Sequence, residues 1–382
     1  MPDIITFLAA ASCLAWFWLL LFHDNFWRAD QRLRENSGAL AQWPEVAVVI
    51  PARNEADVIA ETIGSLVVQD YPGEFRIFLV DDHSEDGTGA VARPLAGAER
   101  LHIIQAPPLQ PGWTGKLGAM AHGAICAAEI LPDHRYLLFT DADIAHPRDA
   151  LRRLVLKAET DPRDLVSLMV RLHCRSFWER LLVPAFVFFF QKLYPFPAVN
   201  DDRSKIAAAA GGVMLVRREV LQRSGGLAAI RDRLIDDCAL ASLIQENKGR
   251  LWLGLAEETR SVRPYRGLGE IWDMVARTAY TQLNYSLIGL AGAIAGMSVI
   301  YLAGPVVFLT YSWHSLGLAS SLGLLSWLLM GSAYLPTIIY YRQTPLFAAL
   351  LPIVGLLYTM MTVSSAWRHW QRRGGAWKGR TY

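Results

Sequence analysis

The sequence predicts an α/β domain with a mostly parallel sheet, carried between transmembrane helices on its N- and C-terminal sides. Three observations carry this reading. Between about residues 43 and 267, short apolar runs alternate with segments of helical periodicity. Polar clusters stand at the ends of several apolar runs, and long uncharged apolar stretches lie outside this region. The 382 residues are 53% hydrophobic with a mean hydropathy of +0.22, enough for one domain plus membrane segments. A net charge of +2 argues against a nucleic-acid-binding surface. Cys13, Cys126, Cys174 and Cys238 lie far apart with no CxxC pair, which supports neither a zinc site nor a disulfide framework.

The first element is the apolar run 4–22, long enough at about 1.5 Å per residue to cross a bilayer core of about 30 Å. No positive region precedes it, and Trp16, Phe17 and Trp18 near its end do not suit a cleavage site. It reads as a retained anchor over 1–27. Arg28, Arg32 and Arg34 follow, so the positive-inside rule places the next domain in the cytoplasm, at the inner membrane. Three further candidates, 285–311, 315–341 and 346–367, make a multi-pass block over 285–367. Pro305, Pro336 and Pro352 interrupt it, as membrane helices tolerate. Three spans after a cytoplasmic domain would put the tail 368–382 outside. That tail carries Arg368, Arg372, Arg373, Lys378 and Arg380, which the same rule keeps inside. The span count therefore stays open, while the domain is expected in the cytoplasm.

Within the α/β region, 46–50 is an apolar run closed by Pro51 and reads as a buried strand. Asn54 is placed to cap a helix over 55–69, whose Val58, Ile59, Ile63, Leu66 and Val67 recur at helical spacing. Further strands are expected at 75–80, 101–104, 136–140, 165–170 and 213–216, with a helix over 116–128. Helices between strands imply right-handed crossovers and a parallel sheet, which binds ligands at the carboxyl ends of its strands. Arg53, Asn54 and Glu55, then Asp81 and Asp82, then Asp141 and Asp143 all fall there.

Each cluster has a chemical and a bland reading. On extended chain, Asp141 and Asp143 would point the same way and converge on one cation; their hard oxygens suit Mg²⁺ or Mn²⁺ shared with phosphates. Two acids in a solvated loop is the alternative. Asp82 at a strand end can accept from a nucleobase or ribose, whereas Ser84 or Asp86 suits a helix cap. Gly112, Gly115 and Lys116 offer backbone N–H groups and an ammonium to a diphosphate, though without Walker spacing. Asp236 and Asp237 before an apolar helix either complement its dipole or include a general base raised by its neighbour.

Taken in order, these segments resemble the family 2 inverting glycosyltransferases, which share the nucleotide-sugar-binding GT-A fold. The resemblance rests on 48–55 (Val-Val-Ile-Pro-Ala-Arg-Asn-Glu), 79–88 (Leu-Val-Asp-Asp-His-Ser-Glu-Asp-Gly-Thr), Gly115-Lys116, Asp141-Ala142-Asp143, Gly211-Gly212 and Asp236-Asp237. It implies a donor site, for a UDP-sugar, of Pro51, Glu55, Asp82, Lys116 and Asp141, with Arg277 near the diphosphate. Asp143, with Asp141, would hold the metal, and Asp237, beside Asp236, would be the base. The family's usual acidic pair is Glu-Asp, and its processive members carry a Q/RxxRW segment. Here the pair is Asp-Asp, and 277–282 reads Arg-Thr-Ala-Tyr-Thr-Gln without a Trp, which argues against polymer synthesis. The whole layout looks most like the hopene-associated glycosyltransferases of bacterial hopanoid clusters. A lipid acceptor is expected, with polyprenyl phosphates or sphingolipid-like lipids as alternatives. The segments 177–197 and 268–284, the latter carrying Trp272, Arg277 and Tyr280, are the candidates to lie in the bilayer interface. A nucleotidyltransferase or an inactive membrane scaffold would leave the ordered acids unexplained.

Overall fold

The computed structural model describes residues 2–33, 38–97, 100–371, 376–377 and 380–381. Arg34, Arg372, Arg373 and Lys378 lie outside the described residues. The main sheet contains β1 (Val46–Ala52), β2 (Phe75–Asp81), β3 (Leu101–Gln105), β4 (Tyr136–Thr140), β5 (Ile144–Ala145), β6 (Leu165–Arg171), β7 (Val213–Arg217) and β8 (Leu251–Ser261). Their order is β3-β2-β1-β4-β7-β6-β8-β5. β1 is buried along its whole length, and its residues alternate between two cores. Val46, Val48 and Ile50 join Ile77 and Leu79 on one face; Ala47 and Val49 join Phe78 and Val80 on the other. A strand covered on both faces reads as a continuous apolar run, which is why no polar alternation marks it.

The principal helices are α1 (Pro2–Phe22), α2 (Ile59–Val67), α3 (Gly115–Ile130), α4 (Ala150–Thr160), α5 (Phe177–Leu193), α6 (Asp236–Glu246) and α7 (Leu268–Gln282). Beyond them lie α8 (Leu287–Leu309), α9 (Gly317–Tyr340) and α10 (Pro345–Trp370). α3 crosses β1 closely: a Cβ on Gly123 would stand 2.5 Å from a Val49 methyl. That approach brings the start of α3, and Lys116 with it, to the carboxyl end of β4.

The architecture is the expected α/β one, with three local departures. β1, β2, β3 and β4 are parallel, as are β6 and β8, but β7 runs against both β4 and β6. β8 and the short β5 that pairs with it were not expected. The helix after β1 starts at Ile59 rather than Glu55 and has no side-chain cap. Asn54 adopts φ +52°, donates its N–H to Ser84 Oγ at 3.0 Å and accepts from the Glu85 N–H at 2.9 Å. It latches two loops together instead of capping a helix.

α1, α8, α9 and α10 are each long and apolar enough to cross a membrane. Small residues and paired polar groups hold these helices together, the kind of contact by which membrane helices pack. A Cβ on Gly323 of α9 would stand 2.5 Å from the Gly304 carbonyl oxygen of α8. Ser12 of α1 and Ser326 of α9 share a hydrogen bond of 2.7 Å. α8 widens into a π-helical turn over Ser298–Ala303, just before Pro305. The Trp16 indole of α1 donates to the Ile300 carbonyl in that turn at 2.8 Å, satisfying a backbone group where the helical ladder is irregular.

The segment 177–197, expected in the bilayer interface, is instead largely buried within the protein over 181–190. On α5, Val183 and Val187 belong to the α/β core, while Leu181, Leu182, Ala185, Phe188 and Phe189 pack into the membrane block. The helix is a buried wall between the two. Tyr358 of α10 donates to the Leu182 carbonyl at 2.9 Å, Arg171 to the Tyr340 carbonyl at 3.0 Å, and Gln191 to the Arg28 carbonyl at 3.0 Å. α7 packs along α10, where Arg368 pairs with Asp273 at 2.7 Å.

Candidate active site

Five of the expected acids, Glu55, Asp141, Asp143, Asp236 and Asp237, fall into two groups. In the first, Lys116 Nζ stands 2.9 Å from Asp141 Oδ1 and 3.0 Å from Asp236 Oδ2. Asp237 lies beside them at the start of α6. Its Oδ2 accepts from the Gly211 N–H at 2.9 Å and its Oδ1 from the Cys238 N–H at 2.8 Å. Gly211 matters for space: a Cβ there would come within 3.2 Å of Lys116 Nζ and 3.5 Å of Asp237 Oδ2.

Electrostatics separates the two partners. Burial alone would lower the Lys116 ammonium, but Asp141, Asp236 and, more weakly, Asp237 outweigh it, so it stays charged. Burial raises the Asp237 carboxyl, and Asp236 raises it further. Lys116 and the two N–H donors only partly offset this. Asp237 is therefore a carboxylate of raised basicity whose two oxygens each keep lone pairs for a further donor.

The second group holds Glu55 and Asp143. Asp143 lies with Asp141 in a turn after β4, not on extended chain, so the two carboxylates face different cations. Asp143 Oδ2 accepts from Ser261 Oγ at 2.9 Å and lies 3.5 Å from Arg263 Nε. Arg263 also pairs with Glu55. Arg263 and Ser261 come from β8 and the loop after it. Sequence reasoning missed both because it placed no strand there; the apolar run 251–256 was the available signal. The charge gathered at Asp143 shows where the site concentrates positive partners. Its donor chemistry fits a hard divalent ion, which one or two carboxylates typically hold together with substrate phosphates. Among the described residues, no group of three or more His, Cys, Asp or Glu forms a closed metal cage.

Asp82 is buried at the end of β2, with Arg53 Nη1 at 3.9 Å from its Oδ2. Pro51 lies inside β1, where β4 pairing covers only Val46–Val49, so its missing N–H falls beyond that ladder. Asp86 ties the loops, accepting from the Thr88 and Ala56 N–H groups. Arg277 stands apart on the exposed side of α7. Its charge reaches Tyr265, whose phenol burial pushes up to about 12 and which also feels Asp143. Glu179 fixes this edge: it accepts from the Tyr265 N–H at 2.8 Å, and so holds the chain two residues from Arg263.

Acids and a lysine at the carboxyl ends of a mostly parallel sheet, beside a block of apolar helices, define a GT-A-type glycosyltransferase fold. Residues 47–225 match the family model described as Glycosyl transferase family 2. The chain is 24% identical over 352 residues to the 4,4'-diaponeurosporenoate glycosyltransferase of Staphylococcus aureus (strain MRSA252), covering 88% of each. It is 28% identical over 120 residues to an N-acetylglucosaminyltransferase of Mesorhizobium japonicum, covering 31% of this chain and 26% of that protein. The solved mannosyltransferase PcManGT from Pyrobaculum calidifontis, in complex with GDP-Man and Mn²⁺, shares the fold. Its TM-score is 0.55 at 20% identity, over 97% of this chain and 99% of that one.

Proposed function

We propose that the protein transfers a sugar from a nucleotide-sugar to a hydroxyl-bearing membrane lipid, with inversion at the anomeric carbon. The observation that carries this reading is Asp237, a carboxylate of raised basicity held by two backbone N–H groups beside the charged Lys116. Asp237 removes the acceptor's hydroxyl proton as the new glycosidic bond forms and the bond to the diphosphate breaks. General-base assistance of this kind contributes typically about 10²–10⁴-fold in rate. Lys116, held by Asp141 and Asp236, meets the negative charge of the leaving diphosphate. Asp82 and Glu55 line the nucleoside end, with Pro51 shaping the strand beneath them. Arg277 serves the diphosphate from α7. Asp143, with Asp141 nearby on its own partner Lys116, would hold Mg²⁺ or Mn²⁺, and the bound ion would supply further charge neutralisation at the diphosphate.

Two relatives support parts of this reading. PcManGT was solved with a nucleotide-sugar and Mn²⁺, which favours that donor class and that metal. A relative named for glycosylating the carotenoid 4,4'-diaponeurosporenoate, matching over 88% of both chains, favours a lipid acceptor. A UDP-sugar is the donor and a hopanoid the acceptor we would test first, with a carotenoid acid second. Arg28 and Arg32 after α1 favour a cytoplasmic catalytic domain at the inner membrane of the cell, with the segment 285–367 as a multi-pass anchor.

The test is nucleoside diphosphate release by the full chain in lipid vesicles, across a nucleotide-sugar panel with Mg²⁺ or Mn²⁺. Asp237→Asn is expected to lose about 10²–10⁴-fold of acceptor-dependent release while still binding the nucleoside diphosphate. Near wild-type turnover in that variant would remove Asp237 as the base.

A further inference from the structure

The three apolar helices after α7 raise a question of sides. If each crosses the bilayer, Arg368 and the basic residues after it, Arg372, Arg373, Lys378 and Arg380, emerge opposite Arg28 and Arg32, against the positive-inside tendency. Contacts between the helices fix the direction of each. Ser12 of α1 meets Ser326 of α9, and Ala9 clusters with Ala319, so α1 and α9 run parallel. α8 runs against α9: a Cβ on Gly304 would stand 2.7 Å from Ser326 Oγ, while Val307, later in α8, clusters with Ala319, earlier in α9. α8 also runs against α10. Tyr285, just before α8, stacks on His369 with ring centroids 4.3 Å apart. Tyr301, far along α8, lies on Gly355, where an added Cβ would stand 2.8 Å from the Tyr301 Cβ.

Two consecutive helices that both run against α8 run parallel to each other, so the chain must climb back between them. It does so in the first limb of α10. Pro345–Leu350 forms a 3₁₀ turn, and Leu351–Trp370 is the α-helix proper. Trp327, near the middle of α9, donates its indole N–H to the Ala349 carbonyl at 3.0 Å. At 1.5 Å per residue, Trp327 stands about 20 Å from Tyr340, and Gly355 about 22 Å from Trp370. The limb rises and the helix falls over the same depth, which is short of a bilayer core of about 30 Å.

The side chains suit this path. Irregular backbone at membrane depth persists only where protein covers it. Here Pro345 brings no N–H, the Trp327 indole satisfies the Ala349 carbonyl, and Ala348 and Leu351 are buried in the helix block. Along α10, Ile353, Leu356, Met360, Val363, Trp367 and Trp370 are exposed at alternating spacings of three and four, which makes one continuous apolar face. The last turn carries the two Trp of that face and Arg368, a composition of the membrane–water interface.

We propose that Pro345–Trp370 is a re-entrant hairpin: α1, α8 and α9 cross the bilayer, while this segment enters and leaves through the leaflet next to the α/β domain, its exposed face covered by the acyl chains of that leaflet. Arg28, Arg32, Arg342 and Arg368 then stand on one side, with the ends of α1 and α9 and the start of α8, and the conflict of charges disappears. The hairpin takes the membrane reading of the apolar helices as given and needs neither the donor nor the acceptor.

The experiment expresses the full chain with one added cysteine and treats spheroplasts with a membrane-impermeant maleimide, before and after permeabilisation, with peptide mass spectrometry reading each site. Ser312→Cys lies between α8 and α9, Arg342→Cys between α9 and the hairpin, and Gln371→Cys just beyond α10; all three positions are exposed. Ser312→Cys is expected to be modified in intact spheroplasts. Arg342→Cys and Gln371→Cys should both stay unmodified until permeabilisation. Modification of Gln371→Cys from the same side as Ser312→Cys makes α10 a full crossing and overturns the hairpin. The reverse pattern, with Arg342→Cys and Gln371→Cys modified in intact spheroplasts and Ser312→Cys protected, upholds the hairpin and overturns the cytoplasmic placement of the α/β domain instead.

Discussion

Asp237 and Asp236 are neighbours in sequence with different partners. Asp236 is paired with Lys116 at 3.0 Å, whereas Asp237 is buried beside the negative charge of Asp236, which Lys116 and two neutral N–H donors only partly offset. A raised carboxyl gives up its proton only as pH climbs through its own value. The acid limb of kcat/KM should therefore lie well above the ~3.9 of an ordinary aspartate. Asp236→Asn removes the neighbouring negative charge, so the limb should move to lower pH; a pH–rate profile of both proteins checks the sign. The acids themselves were legible in the sequence, because Asp82 and Asp141 follow apolar runs and Asp236-Asp237 stand just before one. Arg263 was not, since nothing in Val262-Arg263-Pro264 names its partners. Only the fold brings it to Glu55 and Asp143.

Elements succeed or fail as sequence signals according to what covers them. Strands with both faces buried, such as β1 and β4, announce themselves as apolar runs. β8 begins the same way over 251–256, then continues through Glu257, Glu258 and Arg260, where it leaves the sheet centre and turns charged side chains outward. Its second half is visible only through its pairing, with β5 on one side and Arg171 of β6 on the other. α5 was ambiguous for the opposite reason: a helix apolar on nearly all sides suits a lipid interface and a protein interior equally. Its N-terminus carries the clearest local signature in the chain, a capping box of Ser176 and Glu179. Glu179 is buried, and although burial raises its carboxyl, N–H donors from Ser176, Tyr265 and Arg175 together with His173 bring it down to about 2. A folded value below the ordinary 4.5 stabilises the protein above pH 4.5, and that stability drains away as pH falls toward 2. Glu179→Gln should cost up to roughly 3 kcal/mol near neutral pH and flatten the acid branch of the unfolding curve. Thermal melts across that range test it.

At the scale of the whole molecule, the α/β domain and the membrane block share α5 as a common wall. The tightest point of the block is the crossing of α8 and α9, where Gly323 meets the Gly304 backbone. Gly323→Ala forces those helices apart, since the obstacle is a carbonyl and not a flexible side chain. A fall of several degrees in the melting midpoint in detergent is expected, with donor binding at the α/β domain retained in the folded fraction. Hydrogen bonds from Tyr358, Arg171 and Gln191 then fasten the two halves along α5 and the end of α9. A domain fastened in this way has little freedom to swing toward its acceptor or away from it. For the lipid acceptor proposed above, encounter then becomes a two-dimensional problem: lipids would arrive by lateral diffusion at a fixed site, and turnover would follow their mole fraction in the bilayer rather than their concentration in the flask.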